Sequence, residues 1–478
     1  MSTVPLNSSQ SSNASAVEIS VRGVKLYLLP IQTRVPLKFG SETLTSVTCA
    51  RACITVTSSN GEKFEGWGET PISVQWAWPS KAGYTERYDR LVGFCDVLAK
   101  EWAEFSKSGH PLEIGHAFQQ DRLGSALTAF NKDQPEELKI PYLAALVCCS
   151  VFDQAIYDAY GKAVNLPVYD TLGQAFMKHD LSHYLTPAVG SAANFKNAYP
   201  ADYLTPTKSQ MPAWHLVGGL DPLSEDDDFE PVDDGHPVLL RDWIKRDGLK
   251  CLKIKLRGTD SEWDYQRLVA IGQISIELDV TALTADFNCT VTDPEYVIDI
   301  LNRLAKDHTE IYDRILYVEQ PFPYDLSAHM IDVRRLAAMK PLLMDESAHD
   351  WEHVQLGHSL GWNGVALKTC KTMTGAILSL CWARAHDMHL MVQDLTNPML
   401  AQMPHLQLAA NIPTMMGVET NAMQFYPQAS DIEAAVHPGL YQRRSGEVDL
   451  STISGPGFGY RISEVGRQLP DPAATYGE

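Results

Sequence analysis

Two amines, three carboxylates and a third amine follow one another along the second half of the chain, each at the end of a short apolar run. The runs are KCLKIKL (Lys253 and Lys255), LTADFN (Asp286), ILYVEQPFP (Glu319), PLLMDES (Asp345) and GVALKT (Lys368); HLMVQDL (Asp394) and TMMGVET (Glu419) continue the series. Side chains alternate across a strand, so Lys253 and Lys255 share one face and would repel each other there. Repulsion and desolvation both disfavour the charged form, which predicts a lysine pushed down toward a useful base. Three carboxylates on neighbouring strand ends can converge on one hard cation; Mg²⁺ suits them, with Mn²⁺ as a substitute. Lys368 supplies an amine on the far side of that cation, so one lysine can take a proton and the other return it. Taken singly, each acid reads as a loop-start residue or helix cap, and each lysine as a surface charge. The series in order is harder to explain that way.

What positions such a series is legible in its spacing. From Lys255 the successive intervals are 31, 33, 26, 23, 26 and 25 residues. One strand, one helix and two loops need about that length. Groups repeated at strand ends describe a (β/α) barrel of the TIM type, with its active site on the C-terminal rim. A barrel uses only about 250 residues, so a chain of 478 requires a second domain. The pattern divides the chain as follows: a disordered tail over 1–17, an α+β capping domain over 18–150, a connecting helix and insertion over 151–211, the barrel over 212–428, and a segment over 429–478 that folds back on the cap. Insertions at 174–211 and 222–237 read as a lid or subunit contact.

The formal net charge of −20 argues against nucleic acid or a membrane surface as partner. Part of it is local, in the solvated stretch SEDDDFEPVDDGHP (224–237). Nine cysteines, several inside apolar runs, read as buried thiols in a reducing compartment. No run is read as long enough to span a membrane, and the first residues lack the features of a signal peptide. A cytoplasmic enzyme, forming a homo-oligomer, is the expectation.

The order Lys-x-Lys, Asp, Glu, Asp, Lys resembles the enolase superfamily, in its mandelate racemase/muconate lactonizing enzyme branch with lysine acid/bases. FDQAIYDAYGKAVNLPVYDTLG (152–173), VEQPFP and MDES carry the likeness further. The resemblance implies a modified barrel under an N-terminal capping domain whose loops, here Thr33–Ser46 and the turn Gly66–Thr70, choose the substrate. It implies Mg²⁺ on Asp286, Glu319 and Asp345, with Lys255 as base on one face and Lys368 acting on the other. Lys253 would polarise the substrate carboxylate and tune Lys255, and Asn288 would support the metal. Arg34, Trp67, Asp394 and Glu419 are candidate substrate contacts. The shared step would be removal of the proton α to a carboxylate of a small acid. No histidine stands at the seventh strand end, where Gln393 and Asp394 are found, and GVETNAMQ lacks the Asp-x-Asp of dipeptide epimerases.

Epimerisation or racemisation, or dehydration, is the leading outcome. Muconate-type cycloisomerisation, or activity like o-succinylbenzoate synthase or N-acylamino acid racemase, is the alternative. Outside the family, a barrel glycoside hydrolase using Glu319 and one aspartate predicts activity without metal. A non-catalytic barrel predicts weak metal affinity and no isotope exchange.

Overall fold

A computed structural model describes residues 17–39 and 42–478. Residues 1–16 of the expected tail, and Gly40 and Ser41 of the capping loop, lie outside the described residues.

β-Branched and aromatic residues build the cap from β1 (Ile19–Phe39), β2 (Glu42–Ser58) and β3 (Lys63–Ile72), antiparallel in the order β1-β2-β3. Asn60-Gly61 turns β2 into β3, with Gly61 at φ 83°. The helices α1 (Val74–Ala77), α2 (Tyr84–Ala103) and α3 (Tyr142–Val164) follow. The GWGET stretch, expected as a turn, is strand instead. Its glycines are needed because α3 presses its backbone against β3: a Cβ at Gly66 would stand 2.0 Å from Ala155 O, and one at Gly68 2.1 Å from Val151 O.

Helix α3 also corrects the reading of spans. With the turn before it, it is long and apolar enough to cross a membrane by length and composition. It is instead sandwiched between the capping sheet and the barrel, with 89% of its most apolar window buried, which explains why it is apolar on every side. Asn165, in the left-handed region at φ 56°, ends it.

Eight parallel strands form the second sheet: β4 (Gln210–Val217), β5 (Cys251–Lys255), β6 (Ala282–Asp286), β7 (Ile315–Glu319), β8 (Leu342–Met344), β9 (Gly364–Leu367), β10 (His389–Val392) and β11 (Val418–Glu419). They run in sequence from β10 back to β4, with β11 on the free side of β4. The Met415 N–H donates to Leu390 O across the remaining seam. Trp214, Cys251, Ala282, Tyr317, Leu343 and Met391 fill the floor of the interior. Helix α4 (Met373–Ala385) follows β9. β12 (Glu447–Asp449) pairs antiparallel with β4, and β13 (Ala474–Gly477) returns to pair with β1.

The insertion 174–211 runs along the outer wall of the barrel. Trp382 of α4 donates its indole N–H to Thr186 O, and the Thr205 N–H donates to Asn411 O.

Candidate active site

Alternation with period two carries each β5–β7 strand from an apolar floor to a charged rim. Cys251 lies on the floor of β5, with Lys253 and then Lys255 above it; Ala282, Thr284 and Asp286 repeat the climb on β6. Parallel register sets the rim level, pairing Lys255 with Asp286 and Asp286 with Glu319. Asp345 and Lys368 directly follow β8 and β9. Lys255 and Lys368 therefore project from β5 and β9, four strands apart in a ring of eight, and face each other across the mouth.

All of these groups are buried. Lys253 Nζ lies 2.6 Å from Glu319 Oε1, 3.1 Å from Glu419 Oε2 and 3.3 Å from Asp286 Oδ2. Lys255 Nζ donates to Asp286 Oδ2 at 2.5 Å. Lys368 Nζ lies 3.1 Å from Asp345 Oδ2 and donates to Asp394 O at 2.9 Å. Gln393 donates to Glu319 Oε2 at 2.5 Å, so both oxygens of that carboxylate are engaged. Lys253, Lys255, Asp345, Lys368, Asp394 and Glu419 all line one cavity of about 40 Å³. Leu37, Leu44, Ser73 and Trp76 of the cap close it from above.

Lys253 and Lys368 are raised, contrary to the expectation from amine repulsion. Burial lowers Lys253, but Glu319, Glu419 and Asp286 outweigh it and hold the ammonium well above its usual range. Burial lowers Lys368 too, and Asp345 more than reverses it. Lys253 and Lys368 each have a carboxylate oxygen within 3.1 Å, so attraction wins.

Several site residues escaped the sequence reading. Lys371 lies one turn beyond Lys368 and is equally buried; its ammonium donates to Asp345 O, and to Ala348 O at 3.1 Å. Trp76 of α1 donates to Glu346 Oε1 at 2.9 Å, and its ring centroid lies 4.9 Å from Lys368 Nζ. Gln320, at φ 30°, uses its side-chain oxygen to take the Asp345 and Ser347 N–H groups at 2.8 and 3.1 Å, which fixes the loop bearing Asp345. A signal existed for Lys371 in the three-residue step from Lys368. None existed for Trp76, whose partner is 270 positions away.

Of the candidate substrate contacts, Asp394 and Glu419 reach the cavity. Asp394 also braces loops, accepting from the Asn421 N–H at 2.9 Å and the Asn397 N–H at 3.3 Å. Asn288 supports Asp286 through its N–H at 2.9 Å, while its amide fastens to Leu256 O at 2.7 Å. Trp67 and Arg34 are not among the cavity's lining residues. Trp67 stacks on Tyr27, because strand alternation turns it away from the α3 side that Gly66 and Gly68 occupy. Arg34 is drawn to the acidic insertion, where it forms a two-pronged pair with Asp234 at 2.5 and 2.9 Å.

The charges suggest what the site can hold. Six buried carboxyl groups (Asp286, Glu319, Asp345, Glu346, Asp394, Glu419) meet four buried lysines (Lys253, Lys255, Lys368, Lys371), a formal excess of two acids. Glu319 is raised well above the usual carboxylate range by burial and by Asp286 and Asp345 beside it. Asp286 and Asp345 are held low despite burial, Asp286 by Lys255 and Lys253, Asp345 by Lys368 and Lys371. Among the described residues no three His, Cys, Asp or Glu side chains already form a cage; ammonium groups stand between the carboxylates instead. An all-oxygen donor set, crowded enough to hold the Glu319 carboxyl above its usual range, fits a hard divalent cation.

Residues 238–465 match the family model described as enolase C-terminal domain-like. Over these residues the chain is similar to the C-terminal domain of the enolase superfamily. Solved structures share this chain's fold at low identity. An N-succinyl Arg/Lys racemase from Bacillus cereus is 14% identical with a TM-score of 0.60, covering 96% of this chain and 99% of its own. A muconate lactonizing enzyme from Mucobacterium Smegmatis, complexed with muconolactone, is 16% identical at 0.58, covering 92% and 96%. A dipeptide epimerase from Cytophaga hutchinsonii, complexed with Mg and D-Ala-L-Val, is 17% identical at 0.54, covering 84% and 86%. No curated protein matches the chain.

Proposed function

We propose that this chain is a Mg²⁺-dependent enzyme that removes the proton α to the carboxylate of a small acid and returns it on the opposite face, a racemisation or epimerisation. One observation carries the reading: Lys255 and Lys368 line a single buried cavity from strands on opposite sides of the barrel, each beside a carboxylate, Asp286 or Asp345. Asp286, Glu319 and Asp345 would hold the cation, which supplies positive charge to the substrate carboxylate as negative charge develops there.

The chain's own residues perform the proton transfers. Lys255 takes the α-proton from one side and Lys368 delivers one from the other, or the reverse for the enantiomer. Lys253, held by Glu319 and Glu419, keeps a fixed positive charge beside Lys255. Leu37, Leu44 and Trp76 exclude water over the reacting carbon. Dehydration and cycloisomerisation need only one of the two lysines as base, so a pair buried on both faces favours two-base exchange. The partners read as one small acid substrate and further copies of the chain; the nine free cysteines are consistent with a reducing, cytoplasmic setting.

The test is incubation with Mg²⁺ in D₂O against hydroxy acids, sugar acids and N-acylamino acids, followed by proton NMR. One class should lose its α-hydrogen signal as its enantiomer or epimer appears. Asp345→Asn should weaken Mg²⁺ binding at least tenfold. Absence of washout from every acid, together with unchanged Mg²⁺ affinity in the variant, would refute the proposal.

A further inference from the structure

A second cavity, of about 420 Å³, opens between the helix Leu240–Asp247 and the segment 423–444, outside the lysine-carboxylate site. Its charged lining is unbalanced. Arg246, Arg443 and Arg444 meet only Asp247 and Asp431 there. Asp247 is shared between two guanidinium groups, giving Oδ1 to Arg246 Nε at 2.9 Å and Oδ2 to Arg443 Nε at 2.9 Å. Arg443 is 1% exposed. Beyond Asp247 it reaches Gln424 Oε1 at 3.4 Å, and its Nη2 is buried with no hydrogen-bond partner. The remaining titratable groups do not restore the balance. His236, 3.2 Å from Arg246 Nη1 through Nδ1, is held below its ordinary value by burial and by Arg246, and Tyr441 is pushed well above the phenol range by burial.

A guanidinium that shares its one counter-ion and leaves an N–H unpaired is a poor arrangement unless something else accepts from it. Arg444 stands exposed at the rim, donating to Gln442 and, at 3.0 Å, to Arg443 O. In a chain of net charge −20 this patch of excess positive charge is local and walled. We propose that this cavity binds a small oxyanion, a carboxylate or a phosphate group, through Arg443, Arg246 and Arg444. A guanidinium fork matches either group in two parallel hydrogen bonds.

Titration calorimetry on the full chain, with inorganic phosphate and with succinate at matched ionic strength in chloride, tests this and distinguishes the two sources. Wild-type protein should give a saturable isotherm with at least one of them. The double variant Arg246→Gln/Arg444→Gln alters partly exposed side chains outside the lysine-carboxylate site, and should weaken that binding at least tenfold. An absence of saturable heat with both anions would overturn the proposal. An isotherm unchanged in the double variant would also overturn it, because the anion would then be bound elsewhere.

Discussion

At the scale of residues, the site is a balance of near neighbours. Lys255 and Lys368 each lean on one carboxylate, Asp286 or Asp345, and each would work on one face of a bound acid. Lys255→Ala and Lys368→Ala should therefore fold normally, and each should abolish deuterium exchange from a different face. General acid–base catalysis is worth roughly 10²–10⁴-fold in rate, which sets the expected loss. Stereochemically resolved washout by NMR checks it; exchange retained at both faces in both variants would show that the lysines are not the acid/base pair. The order of the rim carboxylates and lysines was legible in the chain because each stands at the end of its own apolar run. The charge state of Lys253 and Lys368 was not. It depends on which carboxylate lies within about 3 Å, and sequence spacing along one strand shows the neighbouring amine but not the opposing acid. Lys371 was passed over for a related reason, since it lies in a turn after β9 and not at a strand end.

Elements explain where the reading of motifs went astray. Glycines at 66 and 68 punctuate the sequence like a turn, yet they mark a strand that another backbone approaches closely. Gly68→Ala should destabilise the cap, because the new methyl group would meet Val151 O at 2.1 Å and Ala155 N at 2.8 Å. Overpacking of this kind costs about 1–3 kcal/mol, readable as a lower urea midpoint; an unchanged midpoint would mean that α3 can move away from β3 freely. A different device fastens the strand that carries Leu37 over the cavity. Arg34, three positions earlier, is gripped by Asp234 and also donates to Pro237 O and His236 O at 3.1 Å. The hydrogen bonds from Arg34 hold Asp234 below its ordinary value, so the grip is complete at neutral pH and weakens as pH falls through that depressed value. Arg34→Ala should speed amide hydrogen exchange in residues 31–38 relative to the barrel strands. Equal protection in the variant would show that the acidic insertion does not restrain this strand. The sequence displayed both partners, but 200 positions apart and with no repeating pattern to join them.

For the whole molecule, the proposed function requires the cap and barrel to stay in register while a cavity of about 40 Å³ opens to admit a substrate. Buried acids at the boundary keep that register. Asp158 of α3 accepts from the Trp67 N–H in the cap and the Phe458 N–H in the C-terminal segment, each at 2.9 Å. Asp153, one helical turn earlier, takes the N–H and hydroxyl of Thr374 at the start of α4, each at 2.8 Å. The two-domain plan was legible from the strand-then-helix order and the later alternation. These ties were not, because polar residues inside an apolar helix give no indication of what they face. Burial raises Asp153 to about 6, against the hydrogen bonds from Thr374. The group therefore binds its proton more tightly folded than unfolded. Its contribution is fully favourable below the unfolded carboxylate range and is lost as pH rises through about 6. That shift of about two pKa units corresponds to roughly 3 kcal/mol between acid and neutral pH. Asp153→Asn cannot ionise, so its stability relative to wild type should improve progressively as the pH is taken from 4 to 7. Parallel urea titrations across that range check the slope. A constant difference between the two proteins would mean that water or a rearranged Thr374 already satisfies the charge, and that the boundary between cap and barrel is wetter than its packing implies.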